Sequence, residues 1–202
     1  RAGRATPSHS TLCLNGASSA SLGRCLSLSN SGKEALIDGP SSVLYEFPKT
    51  KKGFKFEAGH NGYLRTNGLT HVRRLNLTLD GITLTGEDML LTLDPKDQKS
   101  FQKSFQEAFE TSGLQGIPFQ LRFHLHPEVG AEIDMGGMAV SLAIKTGETW
   151  VFRCISNIKA TLEPSVYFEK NRLRPRSTKQ IVLSLRAMDY ATRVRWSLSK
   201  LQ

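Results

Sequence analysis

The sequence predicts an all-β fold in which antiparallel sheets pack face to face as a sandwich. Along 72–86, apolar and polar residues alternate with the period of two that half-buried strands show, and Asp80-Gly81 interrupts the alternation as a hairpin turn. Further short apolar runs follow, separated by polar turns rather than by helices. Because so many strands bury their apolar sides only by stacking, a β-sandwich is expected.

The remaining strands are assigned in chain order from the turn residues that bound them. A short run around Leu12 and Leu14 ends at the turn dipeptide Asn15-Gly16, and Gly147-Glu148 separates two later strands as a second hairpin turn. Residues 15–32 are rich in Ser and Gly, so a mobile loop is expected there. The other strands are predicted over 42–47, 54–58, 119–126, 139–144, 150–155, 158–168, 180–185 and 193–198.

One stretch has helical spacing. Within 97–112, Phe101, Phe105 and Phe109 recur every four positions among Lys, Gln and Glu, which predicts a short amphipathic helix. We expect this helix to cover a sheet edge. A helix that docks a partner is the alternative, because three Phe on one stripe need a surface to pack against.

Length and charge bound the class of protein. The 202 residues are expected to form a single domain, 1–202, with 39% hydrophobic and 22% charged residues as in soluble globular proteins. The net charge of +9 favours an anionic partner: nucleic acid, a membrane surface or an acidic polysaccharide. No apolar run approaches the ~20 residues that span a bilayer, and no nucleic-acid-binding motif is visible. The chain opens without a signal peptide and is expected to be a fragment.

Two pairs of residues invite a chemical interpretation. His124 and His126 lie on one face of a predicted strand and could begin a metal site, but no third ligand accompanies them at a recognisable spacing, so packing or surface placement is favoured. Glu87 and Asp88 are adjacent on a strand and point to opposite faces, so they are not expected to act together on one bond. A turn or surface ion-pair role is expected for them.

A basic, aromatic segment, GHNGYLRTNGLTHVRR, is the candidate for binding an acidic glycan. Sugars stack on aromatic faces, and their carboxylates or sulfates pair with Arg. The alternative is a structural loop with solvated charges. The candidate polysaccharide-binding residues are His60, Tyr63, Arg65, His71, Arg73 and Arg74.

Eight motifs, in order along nearly the whole chain, resemble the C-terminal domain of bacterial heparinase II/III-like proteins. They are RATPSHSTL (4–12), GHNGYLRTNGLTHVRRL (59–75), LTGEDML (84–90), RFHLHPEV (122–129), the Trp150-Val-Phe152 strand, EPSVYF (163–168), PRSTKQIVL (175–183) and VRWSL (194–198). The resemblance implies an antiparallel super-sandwich that follows an N-terminal α/α-toroid, and we expect this chain to hold the sandwich without the toroid.

The resemblance also implies an activity. Members of the family cleave uronic-acid-containing polysaccharides by β-elimination, which needs a Tyr or His base and a group that neutralises the uronate carboxylate. These groups come largely from the toroid and from its junction with the sandwich, so the chain alone is expected to be inactive. Family members usually work in the periplasm, in the cell envelope or outside the cell. The particular polysaccharide, such as a glycosaminoglycan or alginate, is not identified.

A zinc ligand is carried over from the family. His9 in the His9-Ser10-Thr11-Leu12 motif matches one of the two His and one Asp that hold zinc in the sandwich. The other two ligands lie upstream of the motif in the family, so the site is expected to be incomplete here. Two further functions stay open: a non-catalytic module that binds anionic polysaccharide, and a structural half that docks onto a separately encoded toroid.

Overall fold

The structure is a computed structural model that describes residues 2–24, 34–50, 53–155, 158–170 and 174–201. In these ranges the chain forms fifteen strands and two α-helices. The strands are β1 (Leu12–Leu14), β2 (Ser21–Arg24), β3 (Glu34–Asp38), β4 (Val43–Glu46), β5 (Lys49–Thr50), β6 (Gly53–Tyr63), β7 (Leu69–Thr78), β8 (Thr83–Leu91), β9 (Ile117–His124), β10 (Gly130–Asp134), β11 (Ala139–Ala143), β12 (Thr149–Cys154), β13 (Ala160–Tyr167), β14 (Arg176–Ala187) and β15 (Ala191–Lys200). The helices are α1 (Leu64–Asn67) and α2 (Pro95–Ser112).

The strands build two antiparallel sheets, which confirms the predicted all-β sandwich. A four-stranded sheet has the order β1-β9-β14-β13, and a nine-stranded sheet has the order β10-β11-β12-β15-β8-β7-β6-β4, with β5 also paired to β6. A separate two-stranded sheet joins β2 to β3. No helix in the described part of the chain is long and apolar enough to cross a membrane.

The core lies between the facing sides of the two larger sheets. Leu121, Ile181 and Leu183 of the four-stranded sheet are at most 1% exposed, and Phe152 and Trp196 of the nine-stranded sheet are 2% and 4% exposed. Burying each such side chain contributes about 1.5–3 kcal/mol. Aromatic contacts join the sheets, because the ring centroid of Phe123 on β9 lies 4.9 Å from that of Phe152 and 4.8 Å from that of Trp196.

The predicted turns and the predicted helix are confirmed. Asn15 and Gly16 both have positive φ, 50° and 69°, as a tight two-residue hairpin turn requires. Helix α2 begins at Pro95, within two residues of the predicted start, and ends at Ser112. Its Phe101 is buried against Tyr190, with ring centroids 5.1 Å apart, whereas Phe109 is 43% exposed. The helix therefore packs Phe101 against the core. Docking of a partner at Phe109, the exposed end of the row of Phe residues, stays a prediction.

The segment expected to be a loop, 15–32, contains strand β2 over Ser21–Arg24, and residues 25–32 lie outside the described residues. Strand β2 pairs with β3, which the sequence analysis also missed. Both strands are short and carry little apolar alternation, so their pairing was not visible in the pattern.

Candidate functional site

The central feature of the candidate site is the carboxylate of Asp88, which is completely covered on the inner face of the nine-stranded sheet. Strand register places it opposite Arg73 on β7 and beside β15. Its Oδ1 accepts hydrogen bonds from His71 Nε2 and from Arg73 Nε, each at 2.8 Å. Its Oδ2 accepts from Arg73 Nη2 at 3.1 Å and from Trp196 Nε1 at 2.9 Å. An ionised carboxylate can only accept hydrogen bonds, and both oxygens of Asp88 have donors.

Glycine makes this arrangement possible. Gly86 lies directly across from Trp196 in the β8–β15 pair, and a Cβ at Gly86 would stand 2.1 Å from the indole ring. Because that distance is far inside van der Waals contact, a larger residue would push the indole off the sheet. Trp196 could then no longer donate its Nε1–H to Asp88.

The ionised form of Asp88 is the favoured one. Burial by itself raises the pKa of Asp88, but the hydrogen bond from His71 and the charge of Arg73 outweigh it, and the pKa lies below its ordinary value. Arg73 has side-chain exposure of 17%, so it pairs with Asp88 in a largely dry environment. The pair is therefore a buried ion pair with its hydrogen bonds satisfied.

A second imidazole extends the network toward the edge of the sheet. His60 of β6 lies opposite His71 of β7, and His60 Nε2 is 3.3 Å from His71 Nδ1. The backbone N–H of Gly62 donates to His60 Nδ1 at 3.2 Å. With Nδ1 accepting, the proton of neutral His60 is on Nε2, which donates to His71; His71 in turn donates to Asp88. Burial, and then the charge of His71, lower the pKa of His60 to about 4, so His60 is neutral near pH 7.

Arg73 also ties this network to the segment that carries His9. Its Nη1 donates to the carbonyl of Ser10 at 2.6 Å. The Ser10 hydroxyl in turn accepts from the backbone N–H of His124 at 3.0 Å. The guanidinium carbon lies 5.9 Å from the Phe123 ring centroid and 6.0 Å from that of Trp196, which adds cation–π attraction. The His9 segment is thus held on both sides.

The other histidines do not converge on a metal. His9 is exposed. His124 Nδ1 lies 2.7 Å from the hydroxyl of Ser165 and its Nε2 lies 3.1 Å from the carbonyl of Pro7, so both ring nitrogens are engaged. His126 packs edge-on against Tyr167, with centroids 4.8 Å apart. In the described ranges no three His, Cys, Asp or Glu residues come together as a metal site, so these residues alone do not fit zinc; a zinc role for His9 stays a prediction.

The structure distributes the six candidate polysaccharide-binding residues over different environments. Tyr63 is 1% exposed and donates its hydroxyl to the carbonyl of Leu12 at 3.0 Å, and burial raises its pKa. His71 is also buried, His60 is half-buried and Arg73 is mostly covered. Arg65 is exposed and ion-paired with Asp38. A direct glycan contact therefore stays a prediction for the accessible members, whereas Tyr63 and His71 serve the core.

Arg74 lies on the opposite, outer face of the sheet, where sequence reasoning missed a set of arginines. It binds Glu57 through its Nε at 2.5 Å and approaches Glu87 at 3.5 Å. Glu87 also accepts from Arg195 at 2.8 Å and lies 3.2 Å from Arg193. Arg153 is exposed on the neighbouring strand β12. The alternation of Arg193 and Arg195 around buried Val194 was the available signal for this surface.

Adjacent Glu87 and Asp88 do point to opposite faces, as predicted. The expected surface ion-pair role is correct for Glu87 and wrong for Asp88. Asp88 is 1% exposed and forms the centre of the inner-face network. Its three partners, His71, Arg73 and Trp196, are far from Asp88 in the sequence, so the sequence pattern did not reveal a buried charge.

The family model described as Heparinase II/III-like, C-terminal, matches residues 1–197. The chain is 31% identical over 168 residues to FtsZ-localized protein C of Caulobacter vibrioides (strain NA1000 / CB15N), which covers 82% of this chain and 26% of that protein.

Solved structures show the same fold. The heparan sulfate lyase HepC from Pedobacter heparinus superposes with a TM-score of 0.67 at 9% identity, covering 98% of this chain and 25% of that one. A heparinase III gene product superposes with a TM-score of 0.65 at 10% identity, covering 98% of this chain and 24% of that one. The chain therefore spans about a quarter of the length of the proteins it matches.

Proposed function

The chain belongs to the heparinase II/III-like family as its C-terminal domain, and on that premise we propose that it is the β-sandwich half of a polysaccharide lyase. Such an enzyme cleaves an acidic, uronic-acid-containing polysaccharide by β-elimination. We propose that this half supports the substrate and an α/α-toroid domain, and that it does not catalyse elimination alone. Its place would be the periplasm, cell envelope or exterior of a bacterium.

One observation carries the proposal: the candidate base and cation of this site already form hydrogen bonds to other groups of the protein. Elimination requires a base with access to the C5 proton and a group that neutralises the uronate. His71 and Arg73 instead bind Asp88, and the hydroxyl of Tyr63 is buried against the Leu12 carbonyl. These contacts support a scaffold that holds the sheet and the His9 segment in place. We further propose that His9 contributes to a zinc site that residues outside this chain complete.

The outer arginine face supports a role in holding the polysaccharide. Arg74, Arg193 and Arg195 are about half exposed, at 46%, 53% and 55%, and Arg153 is exposed beside them. Guanidinium groups pair with sulfates and carboxylates in a bidentate way. Glu87 contacts Arg74, Arg193 and Arg195, so an anionic polymer would meet arginines that are already held in place.

Ultraviolet absorbance of the unsaturated uronate product tests the catalytic half of the proposal. The chain is incubated with heparin, heparan sulfate, chondroitin and alginate, and its folding is checked by circular dichroism. We expect no rise in absorbance with any of the four. A rise that His9→Ala abolishes would contradict the proposal, because it would place a working site inside the sandwich.

Heparin-affinity chromatography tests the binding half. We expect Arg193→Gln/Arg195→Gln to elute at clearly lower salt than the unsubstituted chain. Each lost contact between a guanidinium group and a sulfate or carboxylate weakens a salt-dependent attraction. Lys99→Gln/Lys103→Gln is the matched control, because it also removes two positive charges, from exposed side chains on helix α2. Equal shifts for the two double variants would mean that net charge, and not the outer arginine face, governs binding.

A second candidate function is association with FtsZ. The 31% identity to FtsZ-localized protein C extends over 82% of this chain and well exceeds the 9% and 10% identity to the lyases of known structure. We propose as the alternative that the parent protein localises with FtsZ and uses this sandwich as a binding module. A pull-down with purified FtsZ tests it: retention of the chain, together with a flat elimination assay, favours this candidate, and absence of retention argues against a direct role for this domain.

A further inference from the structure

A cavity of about 540 Å³ lies on the outer face of the nine-stranded sheet, beneath the start of α2. Gly59 and Val72 form its floor, and Leu44 and Leu93 stand at its walls. Its volume falls in the range of pockets that bind small molecules, about 300–1,000 Å³. Asp88 itself lies on the inner face, and of its network only His60, at the edge, also lines the cavity.

The charged residues around this cavity are acidic. Four carboxylates line it, those of Glu46, Glu57, Asp94 and Asp97, and no lysine or arginine is among the described lining residues. Glu57 is paired with Arg74, and Asp94 lies 3.9 Å from Lys96. In a chain with a net charge of +9, this is a local reversal of sign.

Asp97 is the decisive residue. It is 9% exposed, and its Oδ2 is buried without a hydrogen-bond partner among the described residues. A carboxylate in the first turn of a helix gains from the helix dipole, but that attraction does not satisfy a buried oxygen. Because burying an unpaired carboxylate is costly, and buried polar atoms in folded proteins have partners, Asp97 indicates a missing donor.

We propose that this cavity binds an organic cation, an ammonium or guanidinium group on an apolar stem. The cationic head pairs with Asp97, and the stem packs on Val72, Leu44 and Leu93. A charge-assisted hydrogen bond in such a site is about twice as strong as a neutral one. A bare divalent metal ion fits less well, because it needs about six oxygen ligands and most of the lining surface is apolar. The inference is independent of the proposed function.

Isothermal titration calorimetry with butylguanidine tests the proposal, with butanol and butyrate as uncharged and anionic probes of the same stem. We expect butylguanidine to bind and the two other probes to give no heat. The peptide acetyl-Ala-Leu-Arg-Leu-amide is titrated in a second experiment. Tighter binding of the peptide than of butylguanidine would indicate that the natural ligand is an arginine in a protein segment. Tighter binding of butylguanidine would indicate a free small molecule.

Variants locate the site. Asp97→Asn should weaken butylguanidine binding at least tenfold, and Leu93→Ser, on an exposed wall residue, should weaken it several-fold without a folding defect. Glu132→Gln removes one exposed carboxylate from β10 and should leave binding unchanged. Equal binding of butanol, or full binding by folded Asp97→Asn, would overturn the proposal, as would the absence of heat from both cationic probes.

Discussion

Glu87 and Asp88 are neighbours on one strand, yet they occupy two different electrostatic environments. The Glu87 side chain points outward and is itself only 15% exposed, but the three arginines that surround it are each about half exposed. The Asp88 side chain points inward, is fully covered, and receives hydrogen bonds from an imidazole, a guanidinium and an indole. Both have a pKa below the ordinary value, although burial opposes the shift in each.

We expect burial, more than the number of charged partners, to decide how much each of these ion pairs contributes to stability. Exposed pairs contribute about 0–1 kcal/mol, because water and salt screen them and the side chains lose freedom. Removing one partner of a buried pair costs about 3–5 kcal/mol, because it leaves an uncompensated charge without solvent. Asp88 should therefore carry far more of the stability of the domain than Glu87.

The largest expected effect is that of Asp88→Asn. We expect the free energy of unfolding to fall by about 3–5 kcal/mol, because Arg73 loses its counter-charge in a dry environment. The new amide group would also direct its own N–H groups at donors from Arg73 and Trp196. Urea unfolding followed by circular dichroism measures the change. A loss below about 1 kcal/mol would mean that the inner network behaves like a surface pair, and the comparison would fail.

Trp196→Phe should have the second largest effect. The Phe ring keeps much of the apolar contact with Phe123 and Phe152, but it removes the Nε1–H that donates to Asp88. We expect a loss of about 1–3 kcal/mol, the cost of leaving a buried acceptor with one donor fewer. The same substitution in Asp88→Asn should cost less than in the parent chain. Additive losses in that double-mutant cycle would contradict a direct Trp196–Asp88 interaction.

The sequence predicted most of the fold, because period-two alternation and turn dipeptides report directly on half-buried strands. The hairpin at Asp80-Gly81, the turn at Asn15-Gly16 and the α2 helix were all foreseen. Strands β2 and β3 were missed because short strands without alternation leave no periodic signal. Three of the residues predicted to bind a glycan point inward in the structure: Tyr63, His71 and Arg73. The sequence did not reveal this, because adjacency in sequence does not show which face a side chain takes.

The site itself was only partly predictable. The segment around His60 and His71 was identified as the candidate for binding an acidic glycan, but Asp88, which the structure places at the centre of its hydrogen-bond network, was assigned to a turn or the surface. The network joins β6, β7, β8 and β15, and only the sheet order brings Trp196 to Asp88 across 108 positions of sequence. The Asp97 cavity was equally invisible, because its acids come from strand β4, strand β6 and the start of α2.

A smaller effect is expected when pH is lowered, and it probes the edge of the inner network. The pKa of His60 falls from an ordinary 6.5 to about 4 in the folded chain, so between these values the unfolded chain binds more protons. Stability is therefore complete above pH 6.5 and falls as pH drops toward 4. Because His60 is partly open to solvent, we expect a loss of about 1 kcal/mol over this range. Urea unfolding at successive pH values measures it.

His60→Asn isolates that contribution. The Asn side chain can still accept from the Gly62 N–H but does not titrate, so the pH dependence between 4 and 6.5 should become shallower. His124, whose pKa is also lowered, by burial first, contributes with the same sign and should account for part of the remaining slope. An unchanged slope in His60→Asn would place the titrating group elsewhere.

The smallest effect is expected for Glu87→Gln, which makes it the sharpest control for Asp88→Asn. The change neutralises the outward carboxylate of the same strand and keeps its shape, while Arg74, Arg193 and Arg195 turn to water. We expect a loss of about 1 kcal/mol or less at low salt, and a smaller one at about 1 M salt, where the Debye length is about 3 Å. Comparing urea midpoints at the two salt concentrations measures both. The comparison would fail if Glu87→Gln lost as much stability as Asp88→Asn, independently of salt. The three arginines would then depend on Glu87 as Arg73 depends on Asp88, and burial would not explain the difference in stability between the two ion pairs.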